Sequence, residues 1–347
     1  MKMSNYNNYL KFLALFVFAL VSTVATAQDE EEAEEKKFTL SGSIDGYFRT
    51  NLTSTDVGSQ NPGTSFADET GFALGFANLV ASYETGKVGA VADLVFGPRG
   101  VAAVGEDVPN VNQLYVYWNV SEGTTFTLGR FNTYLGYEVI SPTGNFNYST
   151  SNLFSSGPFS HVGLKADFAL SEDFSLMLAV MNVTDENFNG TSTGSVPGAY
   201  ALGAQLGYSG QYLNFYYDNE AKLGFEVDYT GGFDLTDDFY LGINAAYADN
   251  DGAGFAGVAL YPQLATSEAF TIGLRGEYFT TFDGVDATED PNVIDITLTG
   301  SYTVDALTIK PEIRLDSFGN DFEPFFDNDG AASSSLASFL VAAIYSF

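Results

Sequence analysis

The chain has 347 residues, no cysteine and a formal charge of −31 at pH 7. The missing cysteine excludes disulfides and thiol chemistry, and the acidic balance disfavours nucleic acid as a partner, because phosphates are repelled by such a surface. Hydrophobic residues make up 45% and aromatics 15%, with 31 Phe and 21 Tyr, a large apolar surface in which nothing past the first residues reads as a transmembrane helix.

Residues 1–27 read as a secretory signal. Lys2 and Lys11 give a positive start, 12–21 is a short apolar run, and Ala25-Thr26-Ala27 is a small-x-small cleavage site. Cleavage there leaves 320 residues (347 − 27) starting at Gln28, and losing Lys2 and Lys11 takes the charge to about −33 (−31 − 2). The next stretch, 28–37 (QDEEEAEEKK), reads as a solvated acidic periplasmic leader.

From residue 38 the pattern becomes strict alternation. Phe38, Leu40, Gly42, Ile44, Gly46 and Phe48 take one face of a strand, while Thr39, Ser41, Ser43, Asp45, Tyr47 and Arg49 take the other. The same period of two returns along the chain, for example at Leu114, Val116, Trp118 and Val120, and at Ile294, Ile296, Leu298, Gly300 and Tyr302. Three segments are less regular. The phase slips inside 71–85, which predicts a bulge. In 124–132, Arg130 shares a face with Phe126 and Leu128, which requires a bulge or an early strand end; 255–261 is ambiguous. Outward aromatics are expected near the short turns, among them Phe168 with Phe174, Tyr229 with Phe239, and Tyr261 with Phe270.

This reading gives about 16 strands, joined alternately by short turns, such as 86–87 and 261–269, and by longer loops, such as 53–69, 133–160, 183–198 and 248–254. The chain closes on LASFLVAAIYSF, too short for a membrane helix and long enough for a membrane strand. Its polar face is charged and its apolar face aromatic, the reverse of a soluble β-sandwich. The expected fold is all-β: a transmembrane antiparallel β-barrel over 38–347, with short periplasmic turns and longer external loops. Backbone groups in lipid must all be paired, so the last strand closes on the first, and Phe339, Tyr345 and Phe347 are expected at the membrane girdle.

From Gly129 the chain reads GRFNTYLGYEVISPTGNFNYSTSNLFSSGP. Gly129-Arg130-Phe131, Gly136-Tyr137-Glu138 and the Asn/Tyr/Ser-rich run to Gly157-Pro158 resemble the OmpL-like β-barrel porin family of Gram-negative outer membranes. The resemblance covers most of the chain in organisation and only this segment in motif. It implies an outer-membrane channel for small solutes, and brings no catalytic residues with it.

Sixteen strands enclose a water-filled lumen. Inward positions supply Arg49, Lys165, Lys222, Arg275, Lys310 and Arg314, and the acids Asp45, Asp93, Glu226, Asp228, Glu277, Glu312 and Asp316. The loop 133–160 is the longest and carries Tyr134, Leu135, Tyr137, Val139, Ile140 and Phe154, which equips it to fold into the barrel. The expectation is a constriction in which Glu138 faces part of this basic set, with Arg49, Arg130, Glu138, Lys165, Arg275, Lys310, Glu312 and Arg314 lining the pore. DNDGA occurs at 249–253 and 327–331; without the downstream Glu of a calcium loop it reads as polar turn chemistry. His161 is the only histidine and has no marked acid partner, so an enzyme is not expected, nor a cofactor or a bound metal.

The expected function is passive diffusion of small hydrophilic solutes and ions through this barrel in the bacterial outer membrane, with acidic loops suggesting a cation preference. The alternative is a surface adhesion or structural barrel without transport. The partners that follow are membrane lipids and lipopolysaccharide, the diffusing solutes, the barrel-assembly machinery acting on the C-terminal strand, and a second and third copy in a homotrimer.

Overall fold

Alternating side chains fit the pleat of a strand, where successive residues point to opposite faces. The computed structural model describes residues 36–54, 60–105, 109–183, 199–218, 223–282 and 291–347. The signal, nearly all of the acidic leader, Lys222 and most of loop 183–198 lie outside these residues. The first strands are β1 (Lys36–Asn51), β2 (Gly71–Thr85), β3 (Val88–Phe96), β4 (Val111–Ser121), β5 (Thr124–Asn132), β6 (Ser160–Ala169), β7 (Phe174–Met181) and β8 (Ala201–Tyr208). They continue as β9 (Gln211–Asp218), β10 (Phe225–Asp234), β11 (Phe239–Asn250), β12 (Ala253–Ser267), β13 (Phe270–Phe282), β14 (Asn292–Val304) and β15 (Leu307–Phe318). A two-residue pair, β16 (Phe325–Phe326) and β17 (Ala332–Ser333), precedes β18 (Ser335–Ser346). Leaving out β16 and β17, the described strands close into one 16-stranded antiparallel barrel.

The seam joins the last strand to the first. Ser43 pairs with Ser346 and Asn51 with Ser338, and Gly42 and Phe347 exchange both backbone hydrogen bonds at 3.0 Å. The barrel is inside out relative to a soluble core: in β14, Ile294 is 50% exposed and its neighbour Asp295 is 0% exposed. Exposed aromatics gather at the turn end, including Trp118, Phe174, Tyr208, Tyr302, Tyr345 and Phe347. A second set, including Phe72, Tyr200, Tyr217, Tyr247 and Tyr278, rings the loop end. Two such belts flanking an apolar band fit a membrane-spanning barrel. Phe339 lies on the loop half of β18, opposite Thr50 and Ile313.

The phase slip in β2 sits at Gly75 and Phe76. Phe72 and Leu74 face outward, Phe76 is 2% exposed, and its N–H leaves the ladder to bond the Asp45 carboxylate at 3.1 Å. In β5 the slip falls at Gly129, whose φ of 140° is open to glycine. Arg130 then pairs in register with the outward Leu114, yet its side chain is 5% exposed.

Three connections or faces differ from the sequence reading. The expected loop 248–254 is a tight hairpin, with Asn250 paired to Ala253 across Asp251 and Gly252. Both central residues have positive φ, 55° and 94°, the conformation that lets a two-residue turn follow strand twist. The expected turn 261–269 is strand as far as Ser267. Tyr261 is inward, 2% exposed, rather than part of the girdle, because Val258, Leu260 and Leu264 hold the outer face of β12. In both DNDGA segments the Asp carboxylate accepts backbone N–H groups: Asp249 from Gly252, and Asp327 from Asp329 and Ala331.

Candidate functional site: a loop seated in the lumen

Residues 133–159 connect β5 to β6 and pass through the lumen. A loop buried in this way must find partners for its backbone. Inward charges of β13 and β15 supply them. Glu312 accepts the N–H groups of Tyr148 (2.9 Å) and Ser149 (3.3 Å), and Glu277 accepts those of Asn152 (2.9 Å) and Leu153 (2.8 Å). The basic groups take the carbonyls: Arg275 that of Ser149 (2.7 Å), Arg314 that of Thr150 (2.7 Å), and Lys310 those of Pro142 and Asn145. The loop ends in helix α2 (Asn152–Ser156), capped by Ser151, whose hydroxyl accepts from Phe154 N–H.

Charge links the loop to the wall in a chain of ion pairs. Glu138 meets Arg275 at 2.9 Å, Arg275 meets Asp295 at 2.9 Å, Asp295 meets Arg314 at 2.9 Å, and Arg314 meets Asp316 at 2.7 Å. All five are buried, so each charge depends on the next for its solvation. Glu138 also accepts from the Ser151 N–H and hydroxyl, at 2.7 and 2.6 Å.

Two further loops pack beside this one. Helix α1 (Gly97–Val104) follows β3, and its Arg99 donates to the carbonyls of Ile140 (2.8 Å) and Tyr148 (3.1 Å) while its guanidinium lies 4.3 Å from the Phe66 ring. Phe66, Val104, Ile140, Phe154 and Phe159 form a buried cluster shared by three loops. The Tyr148 hydroxyl donates to Asp45, and burial raises its pKa, so it remains a donor. Burial also pushes the Asp68 carboxyl up to about 6, against the pull of Arg49 and Arg314.

The large side chains of the loop sit on glycines of the wall. A methyl group at Gly203 would strike Tyr134, one at Gly242 Tyr137, one at Gly273 Phe146, and one at Gly75 both Tyr148 and Asp45. Tyr137 stacks on Tyr261 with centroids 4.4 Å apart, which is why Tyr261 faces inward. Gly242→Val suits a strand but fills the Tyr137 seat. This variant should fold as a barrel and lose loop seating, read as faster proteolysis between 133 and 159 in the refolded protein.

Among the residues expected to line a pore, Glu138, Arg275, Lys310, Glu312 and Arg314 converge on the loop. Arg49 lies at its edge: it shares a small cavity with Ser149, Glu312 and Arg314, but its hydrogen bonds go to Asn51 (2.9 Å) and the carbonyls of Gln60 (3.1 Å) and Asp68 (3.2 Å). Arg130 donates through Nε to the Asn112 carbonyl (3.1 Å), apart from the ion-pair chain. Lys165 stays partly wet beside Asp167 at 2.8 Å. Asp295 and Arg99 complete the site without having been singled out. Asp295 has only its inward phase to mark it, and Arg99 lies in a helix, where alternation carries no signal. His161 is buried at 0% exposure, with Thr133 Oγ1 at 2.9 Å and the Tyr216 ring stacked on it. Below the loop, at the turn end, a cavity of about 600 Å³ is lined by Asn145, Gln263, Ser301, Thr303 and Lys310, among others.

A family model described as "Putative beta-barrel porin-2, OmpL-like" matches residues 37–347. The chain belongs to this OmpL-like porin family. It is a multi-pass β-barrel of the bacterial outer membrane, as the family and the closed barrel together establish. No curated protein sequence matches the chain. Among solved structures, the OmpL-like barrel is similar to an anion-selective porin from Comamonas acidovorans, with a TM-score of 0.58 at 12% identity over 90% of this chain and 100% of that one. It is also similar to the trimer form of OmpT, an outer-membrane protein of Vibrio cholerae, with a TM-score of 0.54 at 9% identity over 90% and 99% of the two chains. A Rh. blastica porin mutant gives a TM-score of 0.51 at 13% identity over 90% and 100%. At these identities the likeness is one of fold.

Proposed function

We propose that the chain is a porin that passes small hydrophilic solutes and ions by passive diffusion, and that residues 133–159 form its constriction. The observation that carries this reading is a charged loop seated across the lumen above a polar cavity of about 600 Å³. A channel needs a wet, polar interior with a narrow zone whose charges sort solutes. The basic groups around the loop are each offset by carboxylates or carbonyls, and in the Lys165–Asp167 pair the acid is the more exposed partner, at 41% of its side chain against 25%. With a net charge of −31, this favours cations. The path runs along the β6 side, where water reaches Lys165 and Asp167. The proposed assembly is a homotrimer in lipid and lipopolysaccharide, inserted by the barrel-assembly machinery through β18.

The density of the lumen favours a second reading. Most inward charges at the level of the loop are below 6% exposure, as befits a plugged surface barrel with an adhesive or structural role. Single-channel recording of refolded protein in a planar bilayer separates the two. Small, stepwise, ohmic openings with a cation-selective reversal potential in a salt gradient are expected. A folded, heat-modifiable barrel that never conducts would overturn the porin reading in favour of the second.

A further inference from the structure

β10 carries Glu226 and Asp228 on its inward face, and β11 brings Asn244 alongside, since Thr230 pairs with Asn244 and Asp228 with Ala246. The three are buried at 2%, 1% and 2% exposure. With Gly136, Gly157 and Pro158 of the seated loop, they line a cavity of about 10 Å³, room for about one water-sized particle. One Asp228 oxygen accepts from Gly136 N–H at 3.2 Å and from the Asn214 amide. Asp228 Oδ2, Glu226 Oε2 and Asn244 Oδ1 have no hydrogen-bond partner among the described residues.

This cluster differs from the other buried carboxylates near the loop. Glu138, Asp295 and Asp316 are ion-paired, and Glu277 and Glu312 collect N–H groups. Among the described residues, no Arg or Lys pairs with Glu226 or Asp228. Three acceptor oxygens, from two acidic groups and an amide, therefore line one small space, and among the described residues none of the three receives a donor. Buried acceptors of this kind are costly unless a cation, a proton or a water fills the space. One proton lets a carboxyl donate to a second oxygen and leaves the third empty, and one water has two hydrogens for three oxygens. A cation serves all three.

We infer that this cavity is a calcium site joining the seated loop to β10 and β11, with Glu226, Asp228 and Asn244 as its side-chain ligands. Two carboxylates and an amide oxygen are hard donors suited to calcium, which accepts irregular geometry. Magnesium demands a near-ideal octahedron of short bonds, which ligands fixed on two neighbouring strands do not supply, whereas calcium can take both oxygens of a carboxylate at longer and less regular distances. Because Gly136 already bonds Asp228, the ion would fix the start of the loop.

The test uses the full refolded chain in detergent free of lipopolysaccharide, with EDTA, calcium chloride or magnesium chloride as the only variable. Calcium, and not magnesium, should raise the Tm of the wild type and of Asp327→Asn, a control for the DNDGA turns. The double variant Glu226→Gln/Asp228→Asn should lose the calcium shift, yet unfold in EDTA no lower than wild type, because two unpaired charges have been removed. Asn244→Leu should weaken calcium binding several-fold in a terbium-displacement titration. The inference is overturned by a wild-type Tm indifferent to calcium, by an equal shift in the double variant, or by a double variant that cannot fold. Conductance is not read, so failure here leaves the porin proposal standing.

Discussion

Arg275→Met should release residues 133–159 from the lumen while leaving the barrel intact. Arg275 is 0% exposed and holds Glu138, Asp295, the Ser149 carbonyl and the Thr297 hydroxyl together. Methionine restores much of the volume but none of the charge. Glu138 and Asp295 would then be buried without their partner, and breaking a buried pair costs about 3–5 kcal/mol. Asp295 keeps Arg314 at 2.9 Å, so the unpaired charge falls mainly on Glu138. A loop can reach water and a strand cannot, so Glu138 leaves and takes its loop with it. The ladder of β13 is untouched, with Arg275 still paired in backbone register to Thr297. The expected readouts are unchanged heat modifiability on gels, rapid proteolysis within 133–159, and larger, noisier single-channel steps. If the steps and the protease pattern match wild type, the ion-pair chain is not what seats the loop.

The partner substitution sharpens this. Glu138→Gln alone keeps the shape and removes the charge that Arg275 neutralises. Combined with Arg275→Met, it should restore much of the protease resistance, because no unpaired acid then remains on the loop. A coupling of this kind between contacting residues is what a double-mutant cycle measures.

The barrel is largely legible in the sequence because a strand writes its orientation every second residue. Ile272, Leu274 and Gly276 face out, so Arg275 must face in, and no knowledge of the fold is needed to say so. The same alternation ends on Phe347, which pairs with Gly42 across the seam. Where both phases are small or apolar the signal fails, as in β12, where Gly257 and Ala259 face Val258 and Leu260 with little contrast. There the deciding fact is the Tyr137 ring waiting inside for Tyr261, a contact between residues 124 positions apart (261 − 137). The partners of the seated loop are hidden for the same reason. Alternation says that Glu277 and Glu312 point inward, but not that each collects two N–H groups of one loop. One signal was present and unread: glycines on the inner face, at Gly203, Gly242 and Gly273, mark places where something large approaches the wall.

Excising residues 135–148 should convert a narrow channel into a wide one. The segment removes Glu138, the three rings seated on wall glycines between 137 and 148, and the carbonyls that hold Lys310 and Arg99. Wall charges that now depend on the loop would instead be hydrated, which a lumen open to water allows without strain on the strands. The barrel should therefore refold, since each strand of the closed sheet keeps both backbone neighbours. Conductance should rise several-fold and the cation preference should weaken without vanishing, because a wider lumen gains hydrated Lys310 and Arg314 beside Glu312 and Asp316 along β15 while Asp167 stays in place. The comparison with Arg275→Met is decisive for mechanism. If both variants widen the pore, the loop is the constriction and the ion-pair chain is its latch. If excision leaves conductance at the wild-type level, the narrowest point lies elsewhere, along Lys165 and Asp167 on the β6 wall.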